Sequence, residues 1–111
     1  METQERSVIL STVAEKDIQD IYVYGYETFG KTAAESFKAE LLFLIRTLNN
    51  FYEMYPECRY LRTKSHIYRN IILGSYLVIY RITSERIEVL KVVSSRISVS
   101  KIKKTRGVRL P

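Results

Sequence analysis

Residues 66–96 read HIYRNIILGSYLVIYRITSERIEVLKVVSSR, and this stretch decides the fold of the 111-residue chain. Gly74 and Ser75 separate two runs of β-branched and aromatic residues. Glycine followed by a small polar residue suits a two-residue type II′ hairpin turn, which here pairs Arg69 with Tyr80. A second turn and a third run of similar composition follow. The stretch therefore predicts a three-stranded antiparallel meander.

Two amphipathic helices are predicted upstream of the meander, after a short strand at residues 7–11. The first helix begins at an N-cap, Thr12, and ends at Gly30, because glycine is the usual residue after a helix C-terminus. The second begins with a capping box at Thr32 and ends before Pro56. The order β-α-α-β-β-β predicts an α+β fold of two layers, with the helical hairpin on one face of an antiparallel sheet. The first strand then lies antiparallel beside the last, and the other sheet face stays open.

The C-terminal residues 97–111 (ISVSKIKKTRGVRLP) do not continue the strand pattern. They contain five cationic residues, no acidic residue and only scattered apolar residues. We therefore predict a single domain over residues 1–96 and a basic C-terminal tail over residues 97–111, which is loose without a partner.

Composition limits the class of protein and its location. Cys58 is the only cysteine, so the chain has no internal disulfide and no cysteine pair for a metal. No apolar run approaches the roughly 20 residues of a membrane helix. The N-terminal residues METQERSV lack the apolar core of a secretory signal. We expect a cytoplasmic protein with no membrane segment, metal or cofactor.

The formal net charge of +6 hides an asymmetry between the two halves of the chain. Residues 1–57 contain five Lys/Arg and ten Asp/Glu, whereas residues 58–111 contain thirteen Lys/Arg and two Asp/Glu. The halves thus carry net charges of −5 and +11. An acidic helical half and a basic sheet half predict that the open sheet face meets an anionic partner, either nucleic acid or an acidic protein segment.

A set of residues along the chain carries a family resemblance. It comprises Leu10–Thr12, Ala14, Asp17, Ile18, Ile21 and Tyr24, then Gly30, Ala33, Ala34, Leu41, Leu44, Leu48, Tyr55 and Pro56, and finally Arg69, Gly74–Tyr76, Val78–Ile82, Ile87, Val89, Leu90, Val92 and Arg96. In order and spacing these residues resemble the RelE/ParE toxin superfamily, the toxins of bacterial type II toxin–antitoxin modules, often labelled plasmid stabilisation proteins. The resemblance covers about residues 8–96. It implies the same β-α-α-β-β-β order of elements that the residue patterns predict.

The superfamily has two branches, and the residues favour one of them. RelE-like toxins resemble metal-free ribonucleases that cut mRNA in the ribosome, with Lys, Arg and a late Tyr or His on the open sheet face. Arg69 and Arg96 match two of those cation positions, but Ile71 and Leu77 occupy two others and no late Tyr or His is evident. Because metal-free RNA cleavage needs proton-transfer groups as well as cations, the sequence is closer to the ParE-like branch, which poisons DNA gyrase.

The resemblance therefore implies a toxin that binds and inhibits a nucleic-acid machine such as DNA gyrase, without a catalytic site of its own. A cognate antitoxin would cover the same basic surface. The alternatives are a RelE-like, ribosome-dependent mRNA endoribonuclease and a member that has lost toxicity and only binds its partner. Arg69 either binds a partner or stacks on Tyr80. The candidate residues for binding a partner or target are Arg69, Arg96, Lys101, Lys103, Lys104 and Arg106.

Overall fold

The strands and helices follow in the order that the sequence predicts, β-α-α-β-β-β, and two short C-terminal helices come after them. The computed structural model describes residues 4–97 and 99–110. Its elements are β1 (Ser7–Leu10), α1 (Thr12–Phe29), α2 (Lys31–Phe51), β2 (Tyr68–Leu73), β3 (Tyr76–Ile82), β4 (Arg86–Ser94), α3 (Val99–Lys103) and a 3₁₀ helix (Lys104–Gly107). The predicted α+β fold class, with a helical hairpin followed by strands, is confirmed. Within the described ranges, none of the helices combines the length and hydropathy of a membrane span.

The β2–β3 hairpin has the predicted register. Leu73 lies opposite Tyr76, and Arg69 lies opposite Tyr80. Gly74 has a φ of 58°, and His66 is the one non-glycine residue with positive φ among those the structure describes. A positive φ at the first central residue alone is what a type II′ turn requires, so glycine followed by serine specifies this turn.

The sheet is mixed, with strand order β1-β4-β3-β2. The prediction that β1 lies antiparallel to the last strand is wrong, because β1 pairs with β4 in parallel. The link between α2 and β2 explains the difference. It runs antiparallel beside β2, where the Cys58 amide donates to the Tyr68 carbonyl at 2.9 Å and the Asn70 amide donates to the Pro56 carbonyl at 3.1 Å. This extra pass reverses the direction in which the chain enters the meander.

The helix boundaries differ from the prediction at both N-termini. Ser11, not Thr12, caps α1, since its Oγ accepts from the Ala14 amide at 2.9 Å. Gly30, with a φ of 92°, ends α1 as predicted and also precedes the first residue of α2. Thr32 is therefore already inside α2, which has no side-chain cap. A single glycine with positive φ therefore forms the whole connection between the two helices.

The first hydrophobic core lies between the helical hairpin and one face of the sheet. Side chains from both helices meet one face of the sheet. On β4 the inward residues are Ile87, Val89 and Val92, because the register of β3 with β4 shifts and interrupts the alternation. Its buried members are Ala14, Ile18, Leu41, Ile45, Leu48, Tyr52, Ile71, Val78, Tyr80, Ile87, Val89 and Val92.

A second core covers the opposite face of the sheet. Its buried members are Cys58, Leu61, Tyr68, Ile79, Leu90, Val93 and Ile102. The link supplies Leu61, and α3 supplies Ile102. The expectations of an open sheet face and of a loose tail are therefore wrong, because the scattered apolar residues of the tail close over the sheet. The boundary between a domain and a tail after residue 96 stays a prediction.

One buried carboxylate joins β3 and β4 on this second face. Glu88 is 6% exposed and accepts from Arg81 Nε and Arg86 Nε, both at 2.8 Å. Burial alone would raise the pKa of the Glu88 carboxyl, but its hydrogen bonds and charge interactions with Arg81 and Arg86 outweigh burial and lower that pKa. The ion cluster therefore stabilises the folded state when Glu88 is ionised.

We expect Glu88→Gln to lower the free energy of unfolding by about 2 kcal/mol at neutral pH, because two partly buried guanidinium groups lose their anion. Since the folded-state pKa lies below the ordinary value of 4.5, this stabilisation is complete above that value and is lost as the pH falls through the folded-state pKa. Urea unfolding of both proteins across acidic and neutral pH checks this. A difference that does not shrink in acid would show that Glu88 contributes through packing alone.

Candidate functional site

A groove of about 740 Å³ lies where the C-terminal half of α1, the N-terminal half of α2 and the Gly74 turn meet. Its walls are mostly apolar. They are formed by Ile18, Ile21, Tyr22, Tyr24, Gly25, Phe29, Ala33, Ala34, Phe37, Leu41, Gly74, Ser75 and Tyr76, with Lys38, Ser94 and Arg96 as the other lining residues.

Small residues and aromatic contacts shape the groove. A Cβ on Gly25 would lie 3.7 Å from the Ala34 Cβ, so these two small residues let α1 and α2 approach closely. The rings of Phe37 and Tyr76 lie 5.4 Å apart and connect α2 to the hairpin turn. Because both helices and the turn belong to the packed fold, the groove is formed before any partner arrives.

Large apolar side chains are exposed around this groove. Phe29 is 70% exposed and Tyr24 is 57% exposed, and both line it. On a soluble domain, a contiguous exposed apolar patch beside a concavity marks an interaction site. Sequence reasoning missed this site because it assigned the α1 stripe to the core. The available signal was an excess of large apolar residues in the last turns of α1, on more sides than one packed face can bury.

Two cations stand among the apolar residues of the groove. The Lys38 ammonium lies 5.0 Å from the centre of the Tyr22 ring. Arg96 is exposed, and within the described part of the chain its guanidinium forms no hydrogen bond or ion pair. An apolar wall with cationic neighbours suits an amphipathic segment that carries acidic residues.

Arg69 has a different environment from the one predicted. Its Nε donates to the His66 carbonyl at 2.8 Å, and its Nη1 donates to the carbonyls of Glu53 at 3.1 Å and Tyr55 at 2.9 Å. It therefore holds the link against β2 rather than standing on an open face. Whether it also contacts a partner stays a prediction.

We expect Arg69→Met to lower the free energy of unfolding by about 2–3 kcal/mol, because three carbonyls lose a charged donor. Binding of a partner in the groove should not change, since Arg69 does not line it. Urea unfolding and a binding titration check both parts. Lys64→Met, which removes an exposed cation from the same link, is the matched control. Equal stability of the two variants would contradict the structural role of Arg69.

The remaining candidate cations lie on the C-terminal segment. Lys101 and Lys103 are on α3, Lys104 and Arg106 are in the 3₁₀ helix, and all four are exposed. None of them lines the groove. Of the six predicted binding residues, only Arg96 lines the groove. That any of the six contacts a partner or target stays a prediction.

The structure does not assemble the constellation that a metal-free ribonuclease would need. Arg69 lies four residues before Leu73, the last residue of β2, and therefore about 13 Å from the turn end of the strand, whereas Arg96 follows β4 at that end of the sheet. Tyr80, the residue opposite Arg69, is buried and donates its hydroxyl to the Tyr52 carbonyl at 2.6 Å. Burial raises the pKa of Tyr80 despite the nearby charge of Arg69. The two arginines therefore do not converge on one phosphate site.

The fold is that of a small α+β domain with an apolar groove, and comparison with known proteins gives its family. A family described as "ParE toxin of type II toxin-antitoxin system, parDE" matches residues 8–98. The chain belongs to the ParE toxin family. A solved structure entitled "Chromosomal ParDE TA system from P. aeruginosa" has a similar fold, with a TM-score of 0.68 and 14% identity over 83% of this chain and 98% of that one. A search of curated proteins gave no match.

Proposed function

We propose that this protein is a toxin that inhibits DNA gyrase in the cytoplasm and that a cognate antitoxin silences it by occupying the apolar groove. The observation that carries the antitoxin part is the exposed aromatic surface beside a preformed groove, on a chain of the ParE toxin family. The related solved structure is entitled a ParDE toxin–antitoxin system, which supports a protein partner for this chain as well.

The groove fits one amphipathic helix of the antitoxin. Apolar side chains of such a helix, spaced at three and four residues, would pack on Tyr24, Phe29 and Phe37. Acidic residues at its edges would meet Lys38 and Arg96. The apolar contacts supply most of the affinity, and the charges favour one orientation of the helix.

Inhibition of gyrase is proposed from membership of the ParE family, and binding is the proposed mode of action. The separation of Arg69 from Arg96 and the engagement of Arg69 with three carbonyls argue against the RelE-like alternative. The toxin would inhibit gyrase by binding to it. It would not catalyse a reaction with its own side chains.

A supercoiling assay tests this proposal. Purified protein is added to gyrase, ATP and relaxed plasmid, and we expect loss of supercoiling with accumulation of cleaved plasmid. Prior addition of the protein encoded by the adjacent reading frame should restore supercoiling, and a type I topoisomerase should be unaffected. Active gyrase together with cleaved mRNA on translating ribosomes would instead support the endoribonuclease. A normal growth rate on induction would support a member that has lost toxicity.

A further inference from the structure

Two segments form a cover over the second face of the sheet: residues 58–64 of the link and residues 99–110 of the C-terminal segment. Both turn apolar side chains inward, with Leu61 and Ile102 fully buried. They also contact each other, because Arg106 Nη2 donates to the Arg62 carbonyl at 3.3 Å. The guanidinium of Arg106 lies 5.7 Å from the centre of the Tyr68 ring, which anchors it to β2. The two segments thus present one surface, which we call the basic cover.

The outer surface of the basic cover carries cations and no anion. Its two segments contain no Asp or Glu. Their cationic residues, all exposed, are Arg59, Arg62, Lys64, Lys101, Lys103, Lys104, Arg106 and Arg109. A surface with this many cations and no acid attracts polyanions strongly.

The nearest acidic residues in sequence are already engaged. Glu57 accepts from the Thr63 amide at 3.1 Å and lies 3.1 Å from His66 Nδ1. Glu88 is held by Arg81 and Arg86. Glu57 also interacts with the charge of Arg62, but these two carboxylates are few beside the eight cations of the basic cover.

The basic cover differs from the groove in its lack of exposed apolar surface. Among its described residues, Val99 is the one large hydrophobic residue that is exposed. Protein interfaces have an apolar centre with a polar rim, whereas contacts with the phosphate backbone of DNA need only cations and other donors. We propose that the basic cover binds the phosphate backbone of double-stranded DNA, separately from the groove. This inference does not depend on inhibition of gyrase, since it concerns the chain and DNA alone.

Fluorescence anisotropy with a labelled duplex of about 20 base pairs, titrated between about 50 and 200 mM salt, tests the proposal. We expect salt-dependent binding. In the triple variant Lys103→Gln, Lys104→Gln, Arg106→Gln, the slope of log K against log salt should fall in magnitude by about 2.7, because each phosphate contact contributes about 0.9. The double variant K103Q/K104Q, which keeps the contacts of Arg106, should lower it by about 1.8.

The matched control removes three cations from the helical half, with the substitutions Lys16→Gln, Lys31→Gln and Arg46→Gln, all at exposed positions. This control should keep the slope of the unmodified chain, and thermal melting should show that every variant is folded. Equal slopes for the control and the triple variant would overturn the proposal. Binding of polyglutamate as tight as that of DNA would overturn it in favour of an acidic protein. The gyrase assay is separate, so either proposal can fail alone.

Discussion

Replacing Tyr24 and Phe29 together by glutamate is expected to weaken antitoxin binding at least about 100-fold, or about 2.7 kcal/mol. The two rings provide exposed apolar contact area at the groove, and the new carboxylates would repel an acidic segment. The isolated chain should keep its free energy of unfolding, because both side chains are already solvent-exposed. Isothermal titration with the cognate antitoxin, together with urea unfolding of the toxin, measures both quantities.

The matched control for that variant is Phe43→Glu with Phe51→Glu. These rings are 61% and 49% exposed on α2 but do not line the groove. The control adds the same two charges to the same helical layer. Antitoxin affinity should be nearly unchanged in the control. Equal losses of affinity in the two variants would mean that net charge, rather than the groove, determines binding.

The second large effect concerns the attachment of the C-terminal segment to the sheet. Ile102 is 2% exposed and packs in the second core. Ile102→Ala should therefore lower the free energy of unfolding by about 3 kcal/mol, from lost burial and the cavity that remains. Val99→Ala on the same helix is the control, since Val99 is 41% exposed, and its effect should be below about 0.5 kcal/mol.

Urea unfolding at neutral pH separates these two variants. If Ile102→Ala is as mild as Val99→Ala, the C-terminal segment does not pack on the sheet and the second face is open after all. In that case the cations of the C-terminal segment would not be held in place on the basic cover. A large effect of Ile102→Ala supports the rigid placement of cations on which DNA binding by the basic cover depends.

The parts of the fold that local patterns specify were predictable from the sequence. Gly74 and Ser75 specify the turn, and the turn specifies the register of β2 with β3, so Arg69 opposite Tyr80 is confirmed. Gly30 ends the first helix as predicted, because the backbone there has a positive φ that glycine adopts without steric cost. Each of these features depends on residues that are neighbours in sequence.

The parts that depend on distant segments were not predictable in the same way. The direction of β1 relative to β4 depends on the path of the link, which has no regular period. Asp17 is a charged residue of an amphipathic helix, a type that usually faces water, yet its Oδ2 accepts from the Val92 amide at 3.0 Å. The C-terminal segment buries Ile102 through an irregular spacing of apolar residues that resembles a loose tail. Long-range packing decides all three.

The groove could not be predicted from the sequence for a related reason. The groove is lined by aromatic residues of a helix, and on a helix the same residue types form the core. Ile18 and Phe29 differ only in the folded protein, where Ile18 is buried and Phe29 is exposed. Charge was the stronger signal in the sequence, and it favoured Arg69 and the C-terminal cations as binding residues. Of these, Arg69 proved to be engaged with backbone carbonyls.

The central claim is that the antitoxin occupies the groove, and hydroxyl-radical footprinting with mass spectrometry tests it most directly. Oxidation of Tyr24 and Phe29 is measured for the toxin alone and in complex with the cognate antitoxin, with Phe43 and Phe51 as internal references of comparable exposure. We predict strong protection of Tyr24 and Phe29 and little change at the references. Unchanged oxidation of Tyr24 and Phe29 in a fully formed complex would contradict the claim.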